Sequence, residues 1–494
     1  VTSIINPPSI LRAFPTTRLR YALLGSLAGL IAGLLYAGLL ASQQISPMMS
    51  VTDLPGDSAL HLLLSAIVGL VFGITLGHQI TTPGSGLVWG IVMGAAWWLV
   101  GPLTVFPLAH GERPDWSIAL AQSAFPLLAG LAVMYGALMG LLFWCLAEVT
   151  GNTFSLKWIR RASIYSGQTA ISGGLAGLLG GWVFSQWMEQ TGFFPLVAGL
   201  VNSTDVGTGR GLHFGISLLI GVTYGILFQR EACTPGTSIA WGMVYGLIWW
   251  VLGPLTLMPW LLGQGVQWGV GSAQAVFPSL IGHLLYGVIL GISQAFLSQV
   301  WRILFVDSDP LRREPEGPGT RGLRGLLLGS AASLVGGLAF TSIMITTNAL
   351  PLVAGLMGMT SAVEGFVIHM GISTIIGAAY GLLFRRESQS PLAALAWGIV
   401  YGMVWWIVGP LTLMPSLLGL PLQWSLAAIS ASFPSLIGHL LYGVLLALTY
   451  NLLQQRYRAH QPTLVPAVRH ETEISPALWT LVLLCLIVIL LLQA

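Results

Sequence analysis

WGIVYGMVWWIVGPLTLMP, residues Trp397–Pro415, decides the fold, because the chain carries it three times. It stands as WGMVYGLIWWVLGPLTLMP at Trp241–Pro259 and as WGIVMGAAWWLVGPLTVFP at Trp89–Pro107, so the copies lie 152 and 156 residues apart. A second segment precedes each copy: HLLLSAIVGLVFG (His61–Gly73), HFGISLLIGVTYG (His213–Gly225) and HMGISTIIGAAYG (His369–Gly381). A third follows each copy, as FPSLIGHLLYG at Phe277–Gly287 and Phe433–Gly443 and in diverged form as FPLLAGLAVMYG at Phe125–Gly136. Three segments in one order, three times over, are an internal repeat. The second and third copies are close to each other, and the first has drifted.

The repeated stretches are apolar, and so is the rest of the chain. Of 494 residues 7% are charged, against roughly 25% in a soluble domain. Hydrophobic residues make up 55%, and the mean hydropathy is +0.82. That is too little polar surface to solvate a globule of this size. High aliphatic and aromatic content with a net charge of +3 excludes disorder. The scarcity of basic residues argues against a nucleic-acid partner. Cys145, Cys233 and Cys485 are far apart and lack metal or disulfide spacing.

A hydrocarbon core of roughly 30 Å needs about 20 helical residues, and each copy has four such stretches. They are Tyr21–Ala41, Leu60–Gly77, Leu87–Pro107 and Pro126–Ala147; Gly167–Trp187, Gly211–Phe228, Ser238–Met258 and Pro278–Gln299; and Gly325–Thr346, Phe366–Phe384, Leu392–Met414 and Pro434–Leu453. Tyr21–Ala41 follows Arg12, Arg18 and Arg20 as a signal peptide would, but its recurrence in the later copies marks it as a structural helix. The fold expected is all-α: a polytopic transmembrane bundle of three tandem, parallel four-helix repeats, twelve spans, plus a C-terminal transmembrane helix. The domain boundaries are 1–150, 151–304 and 325–458 for the repeats, 305–324 for a cytoplasmic linker, 459–475 for a second linker and 476–494 for the last helix. That helix serves as a tail anchor or as a contact to other membrane subunits. With the N-terminus inside, 17 of the 19 basic residues fall on inner segments, leaving Arg113 and Arg210 outside. An integral protein of a bacterial cytoplasmic membrane with its C-terminus outside is expected.

The few polar positions within spans recur with the repeat. First helices carry Gly25, Gly29 and Gly33, then Gly173, Gly177 and Gly181, spaced for close backbone packing. Second helices place His61, Ser65, Gly69 and Phe72 on one face, as they do His213, Ser217, Gly221 and Tyr224, and His369, Ser373, Gly377 and Tyr380. A polar side chain in a membrane helix is costly and faces protein, a cavity or a ligand. Either these histidines ligate a haem, chlorin or metal, or they bond a neighbouring carbonyl and fasten helices together. Third helices end in Trp-Trp-x2-Gly-Pro-Leu-Thr, where Pro102, Pro254 and Pro410 free the carbonyls of Trp98, Trp250 and Trp406 near Thr104, Thr256 and Thr412. This is either a kink beside an interfacial tryptophan or a polar pocket. Fourth helices carry His283 and His439, about 7.5 Å inside the membrane from their prolines; the first copy has Leu131 or Ala132 there. All these features lie in the outer third of the bilayer. Asp57, Asp205 and Glu364 sit just outside the histidines and read as solvated loop charges.

No Asp, Glu, Lys or Arg lies mid-span, which disfavours ion-coupled transport. No HExxH or Walker A motif suggests an enzyme. The function expected is a binding or scaffold subunit, for instance within an energy-transducing complex, whose histidines hold a haem, chlorin or divalent metal. In the alternative, a pseudo-threefold channel or carrier passes a small neutral or soft solute. His61, His213 and His369 would then ring its axis, and three imidazoles suffice for a metal with one open position.

Overall fold

In lipid a chain must satisfy its own backbone polar groups, and long runs of Leu, Ile, Val, Ala and Gly do so as helices. The computed structural model describes residues 10–42, 57–109, 111–151, 156–228, 231, 234–305, 318–459 and 475–492, and every regular element among them is helical. The segments at 306–317 and 460–474, where linkers are expected, and Cys233 lie outside the described residues.

The long helices are α1 (Ile10–Ser42), α2 (Asp57–Leu76), α3 (Pro83–Val100), α4 (Phe125–Gly151), α5 (Leu156–Gln190), α6 (Val206–Leu227) and α7 (Pro235–Leu252). They continue as α8 (Phe277–Phe305), α9 (Pro318–Thr346), α10 (Ala362–Leu383), α11 (Pro391–Val408), α12 (Phe433–Ala459) and α13 (Ser475–Leu492). Among the described residues, 11 helices are long and apolar enough to cross a membrane. This is an integral membrane protein. Two of the expected spans fall short of that mark. In α5, Ser172, Ser185, Gln186 and Glu189 dilute the apolar run, and the apolar stretch of α13, Pro476–Leu492, is too short.

Helix starts follow from local chemistry. Asp205 caps α6, its carboxylate accepting the Thr208 amide at 2.7 Å, and that bond holds the carboxyl below its usual pKa. Ser361 and Glu364 form a capping box at the start of α10. The expected loop charges at Asp205 and Glu364 are therefore helix caps; the side chain of Asp57 lies outside the described residues.

The chain divides into two compact units. The first comprises Val1–Gly167, Val251–Ser272 and Ala494. Within it α1 lies backbone to backbone on α2, and α3 on α4. A Cβ on Gly25 would stand 2.2 Å from the Gly69 carbonyl oxygen, and one on Gly90 would stand 2.0 Å from that of Gly136. Only glycine allows such an approach.

The second unit comprises Gln168–Trp250 and Ala273–Gln493. It uses the same contacts: Gly173 on Gly221, Gly242 on Gly287, Gly329 on Gly377, and Gly398 on Gly443. Its last helix, α13, packs on α11, burying Ala477, Leu481, Leu484 and Leu491. Gln274 closes the end of α13 by donating to the Leu491 carbonyl at 2.9 Å. The face of α13 left exposed carries Trp479, Val482 and Ile489.

Candidate functional site

The glycine contacts determine where each second-helix histidine lands. Gly33, Gly181 and Gly337 lie against the side chains of Ser65, Ser217 and Ser373, and one turn away the imidazole reaches the glycine carbonyl. His61 Nε2 donates to Gly33 O at 3.1 Å, His213 to Gly181 O at 2.9 Å and His369 to Gly337 O at 3.2 Å. A carbonyl only accepts, so each ring carries its proton on Nε2 and keeps a lone pair on Nδ1. All three imidazoles are buried, with 6–7% of their surface exposed. The face predicted from helical spacing therefore exists, and it is turned onto the preceding helix.

The fourth-helix histidines take the opposite tautomer. His283 Nδ1 donates to Ser279 O at 2.7 Å, and His439 Nδ1 to Ser435 O at 2.8 Å, each one turn back on its own helix. The lone pair is then on Nε2. A Cβ on Gly409, at the bend that ends α11, would lie 3.8 Å from His439 Nε2, so the bend leaves that edge uncrowded. Both rings are half-buried.

An aromatic ring holds each pair of imidazoles apart. Phe184 meets His213 and His283 edge-on at centroid distances of 5.6 and 5.0 Å. Phe340 meets His369 and His439 at 5.2 and 4.7 Å. Gly282 and Gly438 make room, since a Cβ on either would stand 2.0 Å from the phenyl ring. The structure thus brings His213 near His283, and His369 near His439, with a phenyl edge against both. Within neither unit do three described His, Cys, Asp or Glu side chains gather as a metal site.

The first copy departs from this plan in a way the extra residue explains. Tyr36 takes the place of the phenylalanine, 6.1 Å from His61, and a Cβ on Gly130 would strike its hydroxyl. The residue after Gly130 is Leu131, which settles the alignment left open between Leu131 and Ala132. Between there and Tyr135 the chain holds one residue more than the later copies, and Ala129–Gly136 winds as a π-helix while α8 and α12 stay α-helical. A π turn absorbs one residue without shifting the remainder of its helix. Tyr135 accordingly donates to Ser65 O at 2.8 Å, matching Tyr286 to Ser217 O and Tyr442 to Ser373 O, both at 2.7 Å. Beside His61 remains a cavity of about 40 Å³, lined in part by Ser65, Trp97, Leu131 and Tyr135; a single water needs roughly 10–15 Å³ on that measure.

The Gly-Pro segments are also π-wound, at Gly101–Val105, Gly253–Leu257 and Gly409–Leu413. Each threonine hydroxyl donates five residues back: Thr104 to Leu99 O at 3.0 Å, Thr256 to Val251 O at 2.7 Å and Thr412 to Ile407 O at 2.8 Å. The wider π turn thus pairs the hydroxyl with the carbonyl after the tryptophan, not with that of Trp98, Trp250 or Trp406. Thr256 and Thr412 also accept the indole N–H of Trp268 and Trp424, at 2.9 and 3.0 Å. Trp98 and Trp250 use their own indoles on the carbonyls of Ala124 and Val276. Tyr224 donates to Ser238 O at 3.2 Å, and the Tyr380 and Ser388 hydroxyls pair at 2.5 Å. These hydroxyls and the Trp98 and Trp250 indoles are committed to the fold, whereas the buried Trp406 indole N–H has no partner among the described residues.

Sequence reading did not single out Phe184, Phe340, Ser279 or Ser435. Ser279 and Ser435 stand four residues before the histidines inside the repeated FPSLIGH, and Phe184 and Phe340 follow Gly181 and Gly337 by three. Both signals were present as fixed spacings. No protein-family model, curated protein or solved structure matches the chain.

Proposed function

We propose that the chain is a membrane scaffold of three tandem four-helix units in one orientation, N-terminus inside and C-terminus outside, that binds a haem or chlorin through His283 and His439. One observation carries the reading: in both rings Nδ1–H is committed to a backbone carbonyl. A backbone carbonyl on the far nitrogen is the usual outer-shell partner of a metal-ligating histidine, because it fixes the tautomer and raises ligand basicity. His61, His213 and His369, whose Nε2 atoms donate to glycine carbonyls, fasten the second helix of each unit to the first. His283 and His439 would hold the group in place, and it would supply light or redox chemistry within a larger membrane complex. The bacterial cytoplasmic membrane, with the arginine-rich segments inside, is the setting this reading requires.

The cavity beside His61 favours a second reading, passage or storage of a small neutral solute. One preparation separates the two. Protein purified from its own membranes should show a haem or chlorin band, with iron or magnesium in proportion, and His283→Ala and His439→Ala should each remove about half of it. A colourless, metal-free protein overturns the cofactor reading, and solute flux into vesicles would then support the second.

A further inference from the structure

One end of α9, α10 and α12 gathers four arginines. Gly325 of α9 lies against the carbonyl of Gly381 of α10, where a Cβ would stand 2.4 Å from the oxygen. That contact sets Arg321 and Arg324, just before Gly325, beside Arg385 and Arg386, just after α10. Helix α12 joins them. Gln454 donates to Arg385 O at 3.1 Å, and the Arg324 guanidinium lies 4.6 Å over the Tyr457 ring. The like charges meet: burial, then Arg321 and Arg386, push the Arg385 guanidinium down from its usual pKa. The adjoining carboxyl, Glu387, accepts the Thr234 hydroxyl and is pushed up by burial, so it is a weak counterion to the Arg386 guanidinium beside it.

The cluster is not a by-product of the repeat or of membrane sidedness. The corresponding positions hold Thr17, Arg20, Gly77 and His78 in the first copy and Tyr165, Gln168, Gln229 and Arg230 in the second. Sidedness asks only for positive charge somewhere on the inner segments. Here four cations converge where three helices leave the membrane, and guanidinium groups match phosphate oxygens in geometry as well as charge.

We infer that Arg321, Arg324, Arg385 and Arg386 form a binding site for a phosphate group at the membrane boundary, as carried by an anionic lipid headgroup or by free phosphate. Basic pockets between helices at the inner surface are where such headgroups lodge. This inference stands independently of any cofactor on His283 or His439.

The full chain in phosphatidylcholine nanodiscs, with and without phosphatidylglycerol, provides the test, read by native mass spectrometry of retained lipid. The wild type should keep phosphatidylglycerol selectively, and Arg385→Gln/Arg386→Gln should lose about 25-fold of that preference, roughly fivefold for each charge. Arg386→Gln alone, at an exposed position, should cost about fivefold and guards against misfolding of the pair. Inorganic phosphate that displaces the lipid, and raises the thermal midpoint of the wild type but not of the double variant, identifies the free anion as the ligand. Lipid retention indifferent to phosphate identifies the headgroup. Equal retention by wild type and double variant, or an equal loss in Arg18→Gln on α1, overturns the site.

Discussion

The three tyrosine bonds offer a direct test of what the π turn in α4 accomplishes. Tyr135, Tyr286 and Tyr442 are each 2–3% exposed, and each hydroxyl donates across to a serine carbonyl at 2.7–2.8 Å. Replacing any of them with phenylalanine removes one oxygen and leaves the ring in place. The carbonyl keeps its own helical bond, so no buried acceptor is orphaned. Side-chain bonds between membrane helices average about 0.6 kcal/mol and reach about 1.7. Short, dry bonds such as these belong in the upper half, at about 1 kcal/mol each. That is about a fivefold shift in the unfolding equilibrium per site. With no shared partners the costs should add to about 3 kcal/mol in the triple variant. Unfolding in mixed micelles, titrated with dodecyl sulfate and followed by tryptophan fluorescence, measures the differences. The decisive comparison lies within the series, because Tyr135 reaches Ser65 only if the π turn has absorbed the extra residue. A cost near zero for Tyr135→Phe, beside about 1 kcal/mol for the other two, would falsify that account.

The same geometry sets three further outcomes. Deleting Ala132 should convert Ala129–Gly136 to an α-helix and change stability by less than about 1 kcal/mol, since it removes only a bulge, whereas deleting Leu285 from the unbulged α8 should abolish folding, as judged by monodisperse elution from a sizing column. Gly177→Ala should cost about 1–3 kcal/mol in the same micellar titration, because its Cβ would stand 2.4 Å from the Ser217 carbonyl oxygen. Burial raises the folded-state pKa of Glu387, so the neutral acid is the favoured form in the fold. Its contribution is therefore best below the unfolded pKa and is lost as pH rises through the folded value. Glu387→Gln, which keeps an acceptor for Thr234, should stabilise the protein at neutral pH and leave acid stability unchanged; pH-resolved thermal melts showing the same gain at both pH values would remove the premise.

What could be read without coordinates was whatever a helix dictates to itself. The spacing of His213, Ser217 and Gly221 fixes a face, and the glycines at 173, 177 and 181 announce a surface another backbone can touch. Nothing in either run says that the two surfaces meet, so a ligand and a glycine carbonyl remained equal claimants for the imidazole. The interposed Phe184 was beyond reach for the same reason, since its partners belong to two other helices. Periodicity also failed in the drifted copy, because a residue count gives an insertion without its place, and Leu131 and Ala132 stayed exchangeable until a π turn located the excess after Gly130.

The consequence for function is that the two kinds of histidine, alike in the sequence, part company over which nitrogen is already used. His213 and His369 donate Nε2–H to another helix, so losing the ring loosens a helix contact. His283 and His439 donate Nδ1–H to their own helix, so losing the ring breaks no hydrogen bond between helices and removes only the edge contact to Phe184 or Phe340. Substitution by alanine should therefore separate the pairs: stability falls with the first, and any bound cofactor is lost with the second. A chain in which His283→Ala unfolds as readily as His213→Ala, with no chromophore to lose, would make all of these imidazoles fasteners and leave the arginine cluster as the remaining candidate for a ligand.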